Sequence, residues 1–80
     1  MDNTELHQLL ATAMPDCQIE VEGDGYHFVA TLISPIFKGL LPVKRQQMVY
    51  AGIQSYITSG AIHALTLHTY TPEEWEKKHG

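Results

Sequence analysis

The segment CQIEVEGDGYHFVATLIS, residues 17–34, predicts a β-hairpin and constrains the fold more than any other feature of the chain. Ile19 and Val21 alternate with polar residues, as expected for a strand that buries one face. The GDG tripeptide supplies the conformational freedom that a tight turn needs. The YHFVATLI run that follows is rich in β-branched and aromatic residues and apolar at both parities, which predicts the central strand of a sheet.

Two helical patterns flank this hairpin. The first is an apolar stripe that predicts a helix from about Glu5 to Ala13, which Pro15 ends. The second begins at Pro42, after the break SPIFKGLLP, and ends before Gly60, which suits the C′ position. The predicted buried stripe of this longer helix consists of Gln46, Val49, Tyr50, Ile53 and Ile57.

The last twenty residues predict a third strand followed by a short helix. The strand is AIHALTLHTY, residues 61–70. Thr71 and Glu74 have the spacing of a capping box, with Pro72 at the first helical position. Tyr70 and Trp75 occupy the two positions of a hydrophobic staple, so we expect Trp75 to pin the last helix onto the end of the third strand.

The order α-β-β-α-β-α predicts an α+β fold with a mixed three-stranded sheet and with helices packed on one face. Residues 1–80 are interpreted as a single domain, because no linker, repeat or low-complexity tract divides them. The apolar fraction of 44% suffices for a core. A chain of this size nevertheless buries only about 60% of the surface that it exposes when unfolded.

The single cysteine, Cys17, excludes an internal disulfide and favours a reducing compartment. The first residues lack the basic and apolar regions of a signal peptide. No apolar run approaches the roughly 20 residues that a membrane span needs. We therefore expect a cytoplasmic protein that does not contact a membrane.

Histidines are the candidate metal ligands. His63 and His68 are five residues apart in the third strand, so strand alternation points them to opposite faces and prevents them from chelating one ion together. In the predicted strand, His63 lies on the same face as the apolar residues Leu65 and Leu67. The residues alone favour a partly buried His63 bonded to backbone over a metal ligand, and both interpretations stay open. His27 begins the central strand and can approach His63 if the two strands are parallel.

Catalysis is not expected. Cys17 has no motif around it and no Ser-His-acid set is evident, whereas a nucleophile requires a positioned base. Gly23 and Gly25 belong to a hairpin turn rather than to a phosphate-binding loop, because no helix or Lys-Ser/Thr pair follows them. We therefore predict that the protein is not an enzyme.

The segments GDGYHF, FKGLLPVKRQQMVYAGI and IHALTLHTYTPEEW, in this order and spacing, resemble the BolA family. The resemblance extends from about Gln18 to Trp75 and is closest to the short-loop bacterial branch often called IbaG or YrbA. It implies a fold like a class II KH domain, which agrees with the element order. Links to stress response and to transcriptional regulation are implied by this resemblance alone.

The resemblance also implies a partner and a cofactor. BolA-type proteins pair with monothiol glutaredoxins and share a [2Fe-2S] cluster with glutaredoxin and glutathione. His63, in the HA motif, is the metal ligand that the resemblance implies in this chain, and His27 is the candidate for the second ligand. The isolated chain is expected to hold no cluster and to be a monomer or a weak homodimer.

Nucleic-acid binding is the alternative function that the sequence leaves open. Lys38, Lys44 and Arg45 form a small basic cluster in a chain of net charge −4, although the GXXG loop of KH domains is absent. Two or three phosphate contacts predict weak, salt-sensitive binding to a nucleic acid such as DNA. A third interpretation is an adaptor that docks a protein through the open sheet face or the FKG segment, without metal or nucleic acid.

Overall fold

The computed structural model describes residues 1–79, and its elements follow the predicted order. The elements are α1 (Asn3–Ala13), β1 (Gln18–Gly23), β2 (His27–Ile33), a 3₁₀ turn (Pro35–Phe37), α2 (Pro42–Thr58), β3 (Ala64–Tyr70) and α3 (Pro72–His79). The α+β class and the order of the main elements are therefore confirmed. Within residues 1–79, no helix combines the length and the apolar composition that spanning a bilayer requires.

Side-chain caps determine where α1 and α3 begin. The Asp2 carboxylate accepts a hydrogen bond from Glu5 N at 2.8 Å, and the Glu5 carboxylate accepts one from Asp2 N at 3.3 Å. This capping box starts α1 at Asn3, slightly before the predicted start near Glu5. Thr71 and Glu74 form the predicted box at α3, with corresponding bonds of 3.2 and 2.8 Å.

The three strands form one mixed sheet with β2 in the centre, as predicted. β1 pairs with β2 in antiparallel orientation, and β2 pairs with β3 in parallel orientation. The parallel register sets His27 beside Ala64 and Ile33 beside Tyr70. Because these strands are parallel, β2 and β3 begin at the same end of the sheet.

The two ends of the sheet carry different side chains. The histidine end is where β2 and β3 begin, and it carries Tyr26, His27 and His63. The arginine end is where the same strands terminate, and it carries Arg45 and Glu74. The seven residues of β2 separate the two ends by about 20 Å.

Alternation along the strands divides the sheet into a packed face and an open face. On the packed face, Phe28, Ala30 and Leu32 are completely buried and belong to one core with side chains of α1 and α2. On the open face, Glu20, Glu22 and His68 are exposed. The core on the packed side consists of Leu6, Leu10, Met14, Phe28, Ala30, Leu32, Phe37, Val49, Ile53, Ile62 and Leu67. The shorter α3 follows β3 at the arginine end.

The buried side of α2 differs by one position from the predicted stripe. The structure buries Arg45, Val49 and Ile53, whereas Gln46 is exposed. A spacing of four residues keeps side chains on one face of a helix, so Arg45 belongs to the stripe that starts one residue earlier. The predicted place of Arg45, in an exposed basic cluster at the start of the helix, is therefore wrong.

Candidate functional site

His63 lies immediately before β3 at the histidine end of the sheet. The predicted strand starts at residue 61, but the observed strand starts at Ala64 because the preceding backbone is tied to the end of α2. Ile62 N donates a hydrogen bond to Tyr56 O at 3.1 Å, and the Ile62 side chain is buried in the core. His63 is therefore exposed, between a buried anchor and the first strand residue.

Tyr26 is the side chain that contacts His63. The register that pairs His27 with Ala64 places Tyr26 beside His63, one step before the ladder begins. The two ring centroids are 4.9 Å apart and the ring planes differ by 15°, so the rings are stacked. Tyr26 carries no sequence signal for this contact, because the contact depends on a register that the sequence does not specify.

The turn between β1 and β2 holds the backbone of Tyr26 in place. The Asp24 carboxylate accepts hydrogen bonds from Tyr26 N at 3.0 Å and from His27 N at 2.9 Å. The His27 and Tyr26 backbone amides lower the pKa of the Asp24 carboxyl group, in that order of importance. Gly25 has a φ of 92°, which explains the need for glycine in the GDG tripeptide.

The ring nitrogens of His63 are not engaged by other groups of the described chain. Within residues 1–79, the imidazole rings that form hydrogen bonds are those of His7, with Ile19 O, and His27. The interpretation of His63 as a partly buried residue bonded to backbone is therefore wrong. An exposed neutral imidazole with free nitrogens can donate a lone pair to a metal.

His27 shares the histidine end with His63 but does not converge with it. Its Nε2 lies 3.1 Å from Thr66 Oγ1, across the β2–β3 pairing. Consecutive strand residues point to opposite faces, so the stacking of Tyr26 on His63 directs the neighbouring His27 to the other face. The two strands are parallel, which is the condition for an approach of His27 to His63, but His27 remains a candidate ligand only by resemblance.

Cys17 cannot join a site at the histidine end. It precedes β1, whose first residue Gln18 pairs with Ile33 at the arginine end, about 20 Å from His63. The pKa of the Cys17 thiol is raised, mainly because the side chain is partly buried. Among residues 1–79, no three histidine, cysteine, aspartate or glutamate side chains converge to hold a metal ion. The described chain thus offers single donors rather than a complete site.

Arg45 must be removed from the predicted nucleic-acid-binding cluster. Only 7% of the residue is exposed, and all of its hydrogen-bond partners belong to the protein. Its Nε donates to Leu40 O at 2.9 Å, and one terminal nitrogen donates to Thr69 O at 3.3 Å. The two terminal nitrogens also form a bidentate pair with the Glu74 carboxylate at 2.7 and 3.2 Å. These contacts use four of the five N–H donors of the guanidinium, and its burial restricts the access of a phosphate to the group.

Glu74 serves two structural purposes at once. It accepts the hydrogen bond from Thr71 N that starts α3, and it accepts both hydrogen bonds from Arg45. The pKa of Glu74 is lowered from its ordinary value of 4.5 to about 2. The hydrogen bonds from Arg45 are the largest cause, and the hydrogen bond from the Thr71 backbone amide is the next. The arginine end is therefore a structural junction of α2, β3 and α3.

Lys38 and Lys44 are the remaining members of the predicted basic cluster. Both are exposed, and neither forms an ion pair within residues 1–79. The apolar side chains between and beside them are also exposed, with Leu41 at 72% and Val43 at 61%. The cluster is thus smaller and less polar than predicted.

A shallow cavity of about 570 Å³ lies on the open side of the arginine end. Its apolar lining includes Ile33, Pro35 and Trp75. Trp75 also packs on Tyr70 at a centroid distance of 5.3 Å, as the predicted staple requires. The cavity is at the opposite end of the sheet from His63. It therefore cannot contribute to a metal site at the histidine end.

Comparisons with known proteins decide the family. Residues 2–74 match the family model described as BolA-like protein. The chain belongs to the BolA family. The resemblance stated from its motifs is therefore confirmed over nearly the whole chain.

Individual BolA relatives and structures agree with this family. The acid stress protein IbaG of Escherichia coli strain K12 is 38% identical over 77 residues, which cover 96% of this chain and 92% of the relative. The DNA-binding transcriptional regulator BolA of Vibrio cholerae is 40% identical over 55 residues, covering 69% of this chain and 51% of the regulator. The structure of a bolA protein homologue from Coxiella burnetii has a TM-score of 0.85 at 36% identity, covering 95% of this chain and 97% of that one.

Proposed function

We propose that this BolA-family protein is a non-enzymatic, cytoplasmic partner of a monothiol glutaredoxin. The two proteins would share a [2Fe-2S] cluster with glutathione, for iron–sulfur cluster handling or for iron and stress sensing. The observation that supports the proposal is the exposed imidazole of His63, whose nitrogens have no partner within residues 1–79. Family membership supports the choice of partner.

The chemistry of the donor fits the cluster. A neutral imidazole ligates iron, and a histidine in place of a thiolate raises the reduction potential of a [2Fe-2S] cluster. A protonated imidazole cannot ligate, so histidine ligation makes cluster retention sensitive to pH. His63 supplies the donor without first breaking a hydrogen bond of the protein.

The remaining ligands must come largely from outside the chain. Cys17 is at the far end of the sheet, and the His27 ring would have to leave Thr66 and turn away from the open face. His63 is therefore the first ligand of this proposal, and His27 is a distant second candidate. This geometry supports a shared cluster rather than one bound by the isolated chain.

The test is anaerobic co-purification of the chain with a monothiol glutaredoxin, iron, sulfide and glutathione. We expect a coloured complex for the wild type and for His68→Ala, a matched control because His68 is also exposed. His63→Ala should lose the visible absorption and circular dichroism of the shared cluster. His27→Ala measures whether the second histidine ligates.

Unchanged spectra for the His63→Ala complex would show that this ligand assignment is wrong. Glutaredoxin binding that is equal with and without iron and glutathione would favour the adaptor interpretation instead. That interpretation is compatible with the exposed Leu41 and Val43.

Nucleic-acid binding is the second candidate function. It is favoured by the exposed Lys38 and Lys44 and by the name of the Vibrio cholerae relative. Two lysines can neutralise about two phosphates, so binding would be weak and strongly dependent on salt. The loss of Arg45 from the cluster makes this candidate weaker than the first.

A further inference from the structure

We infer that Tyr26 is a positioning residue for the imidazole of His63, an inference that rests on the proposed function of His63. The stack at 4.9 Å and 15° is the contact that restrains an otherwise exposed ring. Tyr26 is itself 65% exposed, so it contributes little to the core. Its side chain is therefore available for a local role at the histidine end.

The backbones on both sides of the stack are anchored, which makes the contact persistent. On one side, Asp24 binds the amides of Tyr26 and His27 in the turn. On the other side, the buried Ile62 and the strand residue Ala64 flank His63. Each of these aromatic side chains has only two torsions, so little conformational entropy is lost when they stack on fixed backbones.

The direction of the stack is compatible with metal ligation. The donor lone pair of a neutral imidazole lies in the plane of its ring, whereas Tyr26 covers a face of the ring. A metal can therefore approach a nitrogen while the stack stays in place, which a hydrogen bond to that nitrogen would prevent. Tyr26 holds the ring plane and leaves the donor edge open, which is a form of preorganisation.

The first test measures the stack in the isolated chain, without any cluster. Proton NMR should show the His63 ring protons shifted upfield by the Tyr26 ring in the wild type. Tyr26→Ala should move them downfield, Tyr26→Phe should preserve the upfield shift, and the His68 protons should stay unchanged in both variants. Thermal unfolding of both variants should match the wild type, because Tyr26 is exposed.

The second test measures the consequence in the glutaredoxin complex. We expect Tyr26→Ala to lose the shared cluster about three- to tenfold faster than the wild type after addition of a chelator, from the usual strength of an aromatic pair. Tyr26→Phe should restore the wild-type rate, because it keeps the stack and lacks only the hydroxyl group.

The outcomes separate this inference from the proposed function. If the His63 protons do not move in Tyr26→Ala, or if cluster loss is equally fast in the wild type and in Tyr26→Ala, positioning by Tyr26 is overturned even though a cluster forms. If the wild-type complex forms no cluster but the NMR shifts behave as expected, the proposed function fails while the stack remains.

Discussion

The two ends of the sheet use polar side chains in opposite ways. At the arginine end, Arg45 is buried and forms four hydrogen bonds, to Leu40, Thr69 and Glu74. At the histidine end, His63 is exposed, stacks on Tyr26 and forms no side-chain hydrogen bond within residues 1–79. A buried group whose hydrogen bonds join several elements of the protein stabilises the fold, whereas an exposed group with free nitrogens is available to a partner.

This difference teaches that residue type alone is a poor guide to function. Arginine is the usual residue for phosphate recognition, and histidine is intermediate between the mostly buried and the mostly exposed residue types. Here the arginine joins three elements of the fold, and the histidine faces solvent. Substitutions at the arginine end should therefore change stability, and those at the histidine end should change binding.

The largest expected effect comes from Arg45→Met. Removing a buried guanidinium leaves Leu40 O and Thr69 O without their partner, so the free energy of unfolding should fall by about 2–4 kcal/mol. Urea denaturation measures this change. Lys44→Met, at the exposed neighbouring position, is the control and should change stability by less than about 0.5 kcal/mol. Equal effects would contradict the structural role of Arg45.

Acid sensitivity should be the next largest effect at the arginine end. The folded-state pKa of Glu74 is about 2 and its ordinary value is 4.5. The carboxylate therefore contributes stability above pH 4.5 that is lost as the pH falls through about 2. Between pH 4.5 and about 2, the free energy of unfolding of the wild type should therefore fall more than that of Glu74→Gln, as measured by denaturation curves. Glu73→Gln is the matched control and should follow the wild type.

His63→Ala should leave the stability of the isolated chain unchanged within about 0.5 kcal/mol, because the ring is exposed and forms no hydrogen bond within residues 1–79. The same substitution should remove the cluster from the glutaredoxin complex. Denaturation of the isolated chain therefore tests whether His63 has a structural role, and spectra of the complex test whether it is a ligand. A large loss of stability would indicate a structural histidine instead.

The smallest effect is expected from the two lysines. If the chain binds single-stranded nucleic acid, Lys38→Gln combined with Lys44→Gln should reduce the slope of log affinity against log salt by about one to two. Fluorescence anisotropy of a labelled oligonucleotide at several salt concentrations measures this slope. The control combines Lys77→Gln with Lys78→Gln in α3. Absence of wild-type binding at low salt would exclude this candidate function.

Much of the fold was predictable because its signals are local. The GDG turn, the alternation around Val21 and the capping box of Thr71 and Glu74 each act within a few residues, and each appears in the structure. Boundaries were less predictable where distant contacts intervene. β3 begins at Ala64 rather than at residue 61 because Tyr56 O, on α2, binds the chain just before it.

The candidate site was predictable only in part. His63 was identified from the family motifs, but the choice between a packed and an exposed ring required its surroundings. Arg45 could have been recognised as buried from its spacing of four from Val49 and then Ile53. Its pairing with Glu74, 29 residues away, had no signal in the sequence.

The sequence by itself determined the elements, their order and the family, because hydrophobic periodicity, turn residues and caps act over short distances along the chain. Tertiary structure alone decided which of the candidate ligand side chains are exposed and close together. The β2–β3 register brought Tyr26 onto His63, directed His27 to the other face and placed Cys17 at the far end. Such juxtapositions depend on how distant segments pair, and one residue of register exchanges the faces of a strand.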